Sequence, residues 1–334
     1  MAATTNSTVS PAPSKLNVSV RSVFRGVGQV MFQNSAWTGL FFILGIFWGA
    51  YSANMPAVAW GALVGVVAST VAGYIIPGTV SDGEQGLWGF NGVLVGCAFP
   101  TFLGCTWQMW VALIICSMAT TWVRQGFNNV MAPWKVNSLT FPFVFMTWMF
   151  LFASRGLAGM APDALSTPEL VATASGTLDT SFGALVVDWL KGVSQVFLID
   201  SWVTGIFFLV GLALCTPAAA VWAAVASAIS LALAILFKAN PADIQAGLYG
   251  FSPVLTGIAL GCTFYKVNVK SALWCVFGII ITFFIQVGMD AVMTPYGLPT
   301  LTGPFCIATW LMLLPAFKLD DRNTPDHSFW KKLF

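Results

Sequence analysis

Long apolar stretches alternate with short polar connections along almost the whole chain. A polar connection over residues 158–181 separates six apolar segments from six more. A helix needs roughly 20 apolar residues to cross the hydrocarbon core of a bilayer, so the pattern predicts an all-α chain that crosses a membrane several times. The segments cover residues 22–33, 37–53, 57–77, 86–104, 106–123, 139–155, 190–199, 202–218, 219–238, 246–265, 271–293 and 301–317.

The composition strengthens this prediction and excludes several functions. Apolar residues make up 57% of the 334 residues and charged residues only 8%, against about 25% in soluble domains. The net charge of +2 and the lack of a basic stripe exclude a nucleic-acid partner. The single histidine, His327, lies in the polar C-terminal tail. We therefore expect no metal site, no cofactor and no enzymatic activity, because the usual general base is missing from the apolar segments.

Four sequence blocks of the first half recur in the same order in the second half. The offset between matching residues stays between 161 and 166. Collinear matches of this kind indicate an internal duplication. The paired ranges are 25–45 with 191–211, 86–96 with 247–257, 126–133 with 288–295, and 139–143 with 301–305.

The charged residues predict how the two halves are oriented. Half of the 14 Lys and Arg residues lie near the two ends of the chain, within residues 15–25 and 318–332, whereas the charged residues of the connection 158–181 are all acidic. Positive charge marks the cytoplasmic side, so both termini are predicted to be cytoplasmic and the connection to lie on the opposite face. Each half then crosses the membrane an odd number of times. The two repeats are predicted to be inverted, most simply with five transmembrane helices and one re-entrant helix each.

We divide the chain accordingly. The N-terminal residues are rich in Ala, Thr, Ser and Pro and contain no apolar signal-peptide core, so we expect a disordered tail. The predicted units are this tail over residues 1–20, a first repeat over 21–157, an extracytoplasmic linker over 158–181, a second repeat over 182–318 and a C-terminal tail over 319–334.

The duplicated blocks resemble those of the urea transporter family over residues 22–317. Two motifs, each present twice, carry the resemblance: Gly-Leu-aromatic-Gly-Phe-(Asn/Ser) and Leu-Thr-x-Pro-Phe. The resemblance implies ten crossings in two inverted repeats, with a pore along the pseudo-two-fold axis between them. It also implies a homotrimer in the cell inner membrane, with passive conduction of urea through a selectivity filter in each protomer. Val144 stands where members commonly have Asn, and Asp290 stands where the first half has Asn128.

Urea is flat, neutral and polar, and leaving an amide-like group unpaired in an apolar medium costs roughly 2–7 kcal/mol. A pore for urea therefore needs polar edges and apolar faces. Gln29 and Gln195 offer amide donors and an acceptor, although glutamine also joins helices in membranes. Thr140 and Thr302 stand two residues before a proline. Each is predicted to cap a helix that begins within the membrane, with its O–H free for a urea carbonyl.

The predicted apolar faces lie in or beside the duplicated blocks. Phenylalanines follow a glycine in both copies of the first motif, and a leucine follows four residues later on the same helical face. A further phenylalanine lies one turn after Gln29, although its counterpart is Leu198. Most of the 28 Phe residues are expected in the core or facing lipid, so the repeated position favours these. The candidates are Phe32, Phe90, Leu94, Phe251 and Leu255.

Asp290 supports a second hypothesis. A carboxylate within a membrane is functional by default, so Asp290 could serve a proton-coupled secondary transporter of a small amide. The competing interpretation places it at the membrane edge or at a trimer interface, helped by Pro295 and Gly297 close behind it. A membrane-embedded enzyme has little support, because no nucleophile–base–acid set occurs. Whether related small amides are substrates beside urea stays open.

Overall fold

The computed structural model describes residues 19–76, 80–171 and 174–319. Within these ranges the chain is almost entirely helical and forms no strand, apart from one isolated bridge between Leu103 and Pro162. The predicted disordered N-terminal tail and the C-terminal tail with His327 lie outside the described residues, except for residues 19, 20 and 319. Of these, Val20 already begins the first helix.

The described residues of the first half form seven α-helices. Their bounds are α1 Val20–Gln29, α2 Ala36–Ser52, α3 Pro56–Ile75, α4 Val80–Glu84, α5 Phe90–Phe102, α6 Trp107–Met131 and α7 Phe141–Ser154. The second half repeats this order. Its bounds are α8 Phe182–Ser194, α9 Trp202–Cys215, α10 Pro217–Leu236, α11 Pro241–Gln245, α12 Phe251–Ile258, α13 Val269–Met293 and α14 Gly303–Leu313.

The turns of the two halves also match in backbone conformation. Residues with positive φ occur at equivalent places between the helices, even where the residue is not glycine, which is an uncommon conformation. The duplication therefore extends to the backbone and is not confined to the sequence blocks. The pairs are Phe32 with Leu198, Gly86 with Gly247, Lys135 with Gly297, and Leu139 with Leu301.

Some helix boundaries differ from the apolar segments. The segment predicted at 190–199 belongs to a helix that already begins at Phe182, where the Ser181 hydroxyl accepts a hydrogen bond from Ala184 N. The segment predicted at 86–104 begins with a turn, because Gly86 has a φ of +78° and α5 starts only at Phe90. Apolar character alone does not reveal these turns.

Glycines bring α3 and α5 into direct backbone contact. A Cβ on Gly61 would collide with the carbonyl oxygen of Gly96, and one on Gly65 would collide with that of Gly92. Each helix thus contributes two glycines four residues apart, the spacing that lets helices approach closely in membranes. This contact holds α5, which begins with Phe90, firmly against α3.

Reciprocal hydrogen bonds join α2 of the first half to α9 of the second. Thr38 Oγ1 donates to Gly211 O at 2.8 Å, and Thr204 Oγ1 donates to Gly45 O at 2.7 Å. Thr38 and Thr204 are equivalent, as are Gly45 and Gly211. Two similar units related by a two-fold axis exchange contacts in this way.

Length and composition identify fewer membrane spans among the described residues than the ten that the resemblance implies. Three helices suffice by themselves, and a pair bent by 71°, Phe182–Phe197 with Trp202–Cys215, makes a fourth if it counts as one span. Five further apolar helices have 10–17 residues. Short and broken helices are tolerated at membrane depth where protein or a cavity surrounds them. The three long spans are Pro56–Ile75, Pro217–Leu236 and Val269–Tyr296.

Candidate functional site

Two threonine hydroxyls meet where α7 and α14 begin. Thr140 Oγ1 and Thr302 Oγ1 are 2.6 Å apart, and both residues are buried. Each threonine occupies the N-cap position of its helix, as predicted, with a proline at the second helical position. The equivalent ends of the two halves therefore come together at one point of the molecule.

The predicted capping hydrogen bonds of these threonines are wrong. Neither side chain accepts from its helix, because the backbone at Thr140 and Thr302 has φ near −90° and ψ near +10° to +18° and not the extended conformation that capping usually requires. The hydroxyls bind each other, and Thr140 Oγ1 also lies 3.3 Å from Cys306 Sγ. Their mutual contact uses one hydroxyl proton, and the other can be donated to Cys306 Sγ or to the acceptor of a solute.

A cavity reaches each threonine, and both cavities are built from equivalent positions. We call the one that reaches Thr140 the first-half cavity, with a volume of about 40 Å³. The one that reaches Thr302 is the second-half cavity, with a volume of about 520 Å³. Side chains that line the first-half cavity include Gln29, Phe32, Phe90, Arg124, Asn128 and Thr140. Their counterparts in the second-half cavity are Gln195, Leu198, Phe251, Gln286, Asp290 and Thr302.

The two predicted glutamines are held in the same way. Gln29 Nε2 donates to Gln85 O at 2.9 Å, and Gln195 Nε2 donates to Ala246 O at 2.8 Å. Both carbonyls belong to the residue just before the duplicated Gly-Leu motif. The bond fixes each amide at the cavity wall, so its Oε1 is the natural acceptor for an N–H group of a solute.

The predicted aromatic residues line the cavities. Phe90 and Phe251 each lie in the wall of their own cavity with at most 9% of their surface exposed. The Phe32 ring contacts the edges of the Phe264 and Phe305 rings at centroid distances of 5.7 and 6.0 Å. The latter two residues also line the first-half cavity, although the sequence analysis did not select them.

The two predicted leucines lie elsewhere. Leu94 and Leu255 are fully buried, and neither contributes to the wall of the two cavities described above. They occupy the interior of α5 and α12, one helical turn beyond the phenylalanines. The structure thus brings seven of the nine predicted residues into the two cavities and leaves this pair in the core.

A buried ion pair in the first half was missed. Arg124 Nη1 lies 3.0 Å from Asp82 Oδ2, with both side chains almost completely buried. The guanidinium carbon also lies 5.8 Å from the centroid of the Phe90 ring. A charged residue within an apolar helix is rare and functional by default, and that signal was visible at Arg124.

Asp290 also faces a cavity. Its Oδ1 accepts a hydrogen bond from Thr300 Oγ1 at 2.9 Å, and the residue lines the second-half cavity. In the first half, Asn128 Oδ1 accepts from Ser138 N at 2.9 Å at the equivalent place. Asp290 and Asn128 therefore occupy equivalent positions in the two halves, and each accepts a hydrogen bond from the residue ten positions later in the chain.

Duplicated apolar helices, some of them broken, and two cavities that end at one hydroxyl pair define a membrane transport protein and not an enzyme. The model of the urea transporter family matches residues 20–317, and the chain belongs to this family. The prediction made from the two duplicated motifs is confirmed, as is the multi-pass membrane character. The structure is consistent with the predicted all-helical membrane fold.

Curated relatives agree with the family assignment. The chain is 29% identical to Urea transporter 1 of Ovis aries over 296 aligned residues. The alignment covers 87% of this chain and 76% of the relative. The match to Urea transporter 1 of Capra hircus has the same identity and coverage. Urea transporter 1 of Mus musculus is 27% identical over 295 residues, with the same coverage of both chains.

Proposed function

We propose that the chain conducts urea passively across a membrane, along a narrow passage from one cavity past the Thr140–Thr302 pair to the other. Membership of the urea transporter family supports urea as the solute. The observation that carries the route is the 2.6 Å contact between the two hydroxyls, which joins the ends of two equivalent cavities. Urea passes from one cavity to the other when the two hydroxyls separate by the thickness of a flat solute.

The side chains along this route fit the chemistry of urea. The carbonyl oxygen of urea accepts the free hydroxyl proton of the threonine pair, and its N–H groups donate to the Oε1 atoms of Gln29 and Gln195. Phe90 and Phe251 cover the flat faces of the solute. Urea thus exchanges hydrogen bonds with water for bonds with the wall, which lowers the cost of roughly 2–7 kcal/mol for each unpaired group.

The architecture belongs to the same proposal. We infer two inverted repeats over residues 21–157 and 182–318, an extracytoplasmic linker over 158–181, and both termini in the cytoplasm. The reciprocal bonds between α2 and α9 support a two-fold relation, and the basic tails with an acidic linker support its orientation. Assembly into a homotrimer in the cell inner membrane follows from the family resemblance.

The proton-coupled alternative is weaker. Asp290 does line a cavity, which is what that alternative requires. However, its counterpart Asn128 holds the same place in the first half without a titratable group. Family membership supports urea transport and does not favour coupling to protons.

Reconstituted vesicles test the proposal. Purified protein in liposomes is exposed to a urea gradient, and stopped-flow light scattering follows the volume change. We expect urea flux far above that of empty vesicles and unchanged by an imposed pH gradient. Thiourea and acetamide measure the range of accepted amides. Flux equal to that of empty vesicles would contradict urea conduction, and flux driven by the pH gradient would favour coupling through Asp290.

A further inference from the structure

The second-half cavity carries unbalanced negative charge. Asp200, Asp243 and Asp290 line it, and no Lys, Arg or His occurs among the described residues of its wall. Two cations near the rim are already engaged. Lys191 Nζ lies 2.8 Å from Asp200 Oδ1, and the Arg155 guanidinium donates to three backbone carbonyls.

The first half has balanced charge at the equivalent positions. Asp82 corresponds to Asp243, and its carboxylate is paired with the Arg124 guanidinium at 3.0 Å. In the second half Gln286 replaces this arginine, and Asp290 adds another carboxylate. The same set of positions therefore sums to zero charge in the first half and to two negative charges in the second.

Gln286 also presents an acceptor that nothing uses. Its Nε2 donates to Leu248 O, whereas its Oε1 has no hydrogen-bond partner although the residue is only 1% exposed. Buried polar atoms are almost always paired in folded proteins. Gln286 belongs to the same cavity wall as the two carboxylates, so its unpaired amide oxygen is the third candidate acceptor for N–H groups at this place.

We propose that the second-half cavity binds a small planar cation of the guanidinium class through Asp243, Asp290 and Gln286. Two carboxylates and an amide oxygen accept N–H groups, and Tyr249 and Phe251 in the same wall offer ring faces on which a guanidinium stacks. The volume of about 520 Å³ suits a small organic ligand. The described residues hold no cluster of three His, Cys, Asp or Glu side chains for a metal ion.

Such a cation enters the cavity but does not pass the threonine pair. Helices α7 and α14 both begin there, and the N-terminal end of a helix carries partial positive charge. The bound cation therefore occupies the route of urea and slows urea flux. This last consequence rests on the proposed function, whereas binding itself does not.

Calorimetric titration of the purified full chain with guanidinium chloride tests the site directly. Low millimolar concentrations and mildly alkaline pH keep the protein folded and the carboxylates ionised. We expect D290N and Q286R each to weaken binding by about tenfold, the loss expected for one charge-assisted hydrogen bond. Both substitutions insert the residue that the first half already carries at that position. The matched control E84Q removes an exposed carboxylate of the first half and leaves binding unchanged.

Several outcomes would overturn the proposal. Equal affinity in the wild type, D290N and Q286R is one of them. Equal binding of tetramethylammonium, which has the same charge and no N–H group, would show general attraction of cations in place of the hydrogen-bonded site. Size-exclusion profiles confirm that each variant is assembled.

Urea flux with and without guanidinium adds a second readout. We expect guanidinium to slow flux through the wild type at a concentration about tenfold lower than the one that slows flux through Q286R. Binding without slowing would overturn the placement of the cation on the urea route. If the chain conducts no urea at all, the titration still decides whether the cation site exists, so the two failures are distinguishable.

Discussion

Removing both hydroxyls of the threonine pair should cut urea flux sharply. The double variant T140V/T302V keeps the shape of the side chains and deletes the two hydroxyls that meet between the cavities. A urea carbonyl left unpaired at this narrow point costs about 1–3 kcal/mol. At 1.4 kcal/mol for each factor of ten, this corresponds to a flux about 5-fold to 150-fold lower.

The single variants should behave differently from the double variant. The two oxygens are 2.6 Å apart, so the hydroxyl that remains in T140V or T302V reaches nearly the same position as the one removed. It also loses its partner, which frees its proton for urea. We therefore expect each single variant to lose only a small part of the flux and the double variant to lose much more than the sum of the two.

The matched control uses two other threonines of the same helices. Thr147 on α7 and Thr309 on α14 are equivalent, fully buried and without a hydrogen-bond partner for their hydroxyl oxygens. Neither lines the two cavities. The variant T147V/T309V should keep wild-type urea flux, because it removes hydroxyls that no solute reaches.

Stopped-flow light scattering on proteoliposomes gives the flux, normalised to the amount of assembled protein from size-exclusion chromatography. Unchanged flux in T140V/T302V would remove the hydroxyl pair from the conduction route. An equal loss in T147V/T309V would show that any threonine deletion in these helices disturbs the protein, and the route through the pair would lose its support.

Three further predictions concern stability and are measured by thermal unfolding in detergent. W148F removes an indole N–H that donates across the halves to a backbone carbonyl at 2.8 Å and should cost about 1–3 kcal/mol; an unchanged melting temperature would refute this. R124M leaves the buried Asp82 carboxylate unpaired and should cost about 3–5 kcal/mol, whereas D82N/R124M should recover much of the loss. G92A should prevent α5 from packing against α3, because the added Cβ collides with α3. The Cβ added by G126A meets nothing within 4 Å, so this variant should keep wild-type stability.

Much of the helical architecture was predictable, because apolar segments and duplicated blocks both follow from local sequence. The matching order of the helices in the two halves followed from the repeats. The turns were less accessible. Residues such as Phe32 and Leu139 adopt positive φ without being glycine, and no local propensity indicates that. Tertiary packing holds them in this conformation, and the sequence contains that packing only implicitly.

Site residues that recur in both halves could be predicted from the sequence, whereas site residues that differ between the halves could not. Equivalent positions selected the threonines and the glutamines, and these residues line the two cavities. The pairing of Arg124 with Asp82 was missed because the two residues are 42 positions apart and their equivalents, Gln286 and Asp243, do not form an ion pair. A residue that differs between the repeats gives no signal in a search for repeated residues.

The pattern of identity and divergence between the halves has a physical cause. Thr140 and Thr302 touch each other, so they share one environment and any change in one affects the other. Farther out, each half packs around its own cavity. In the proposed inverted arrangement these cavities open to opposite sides of the membrane. Selection then acts on each separately, and the ion pair of Arg124 can give way to Gln286 and an added Asp290 without disturbing the hydroxyl contact between the cavities.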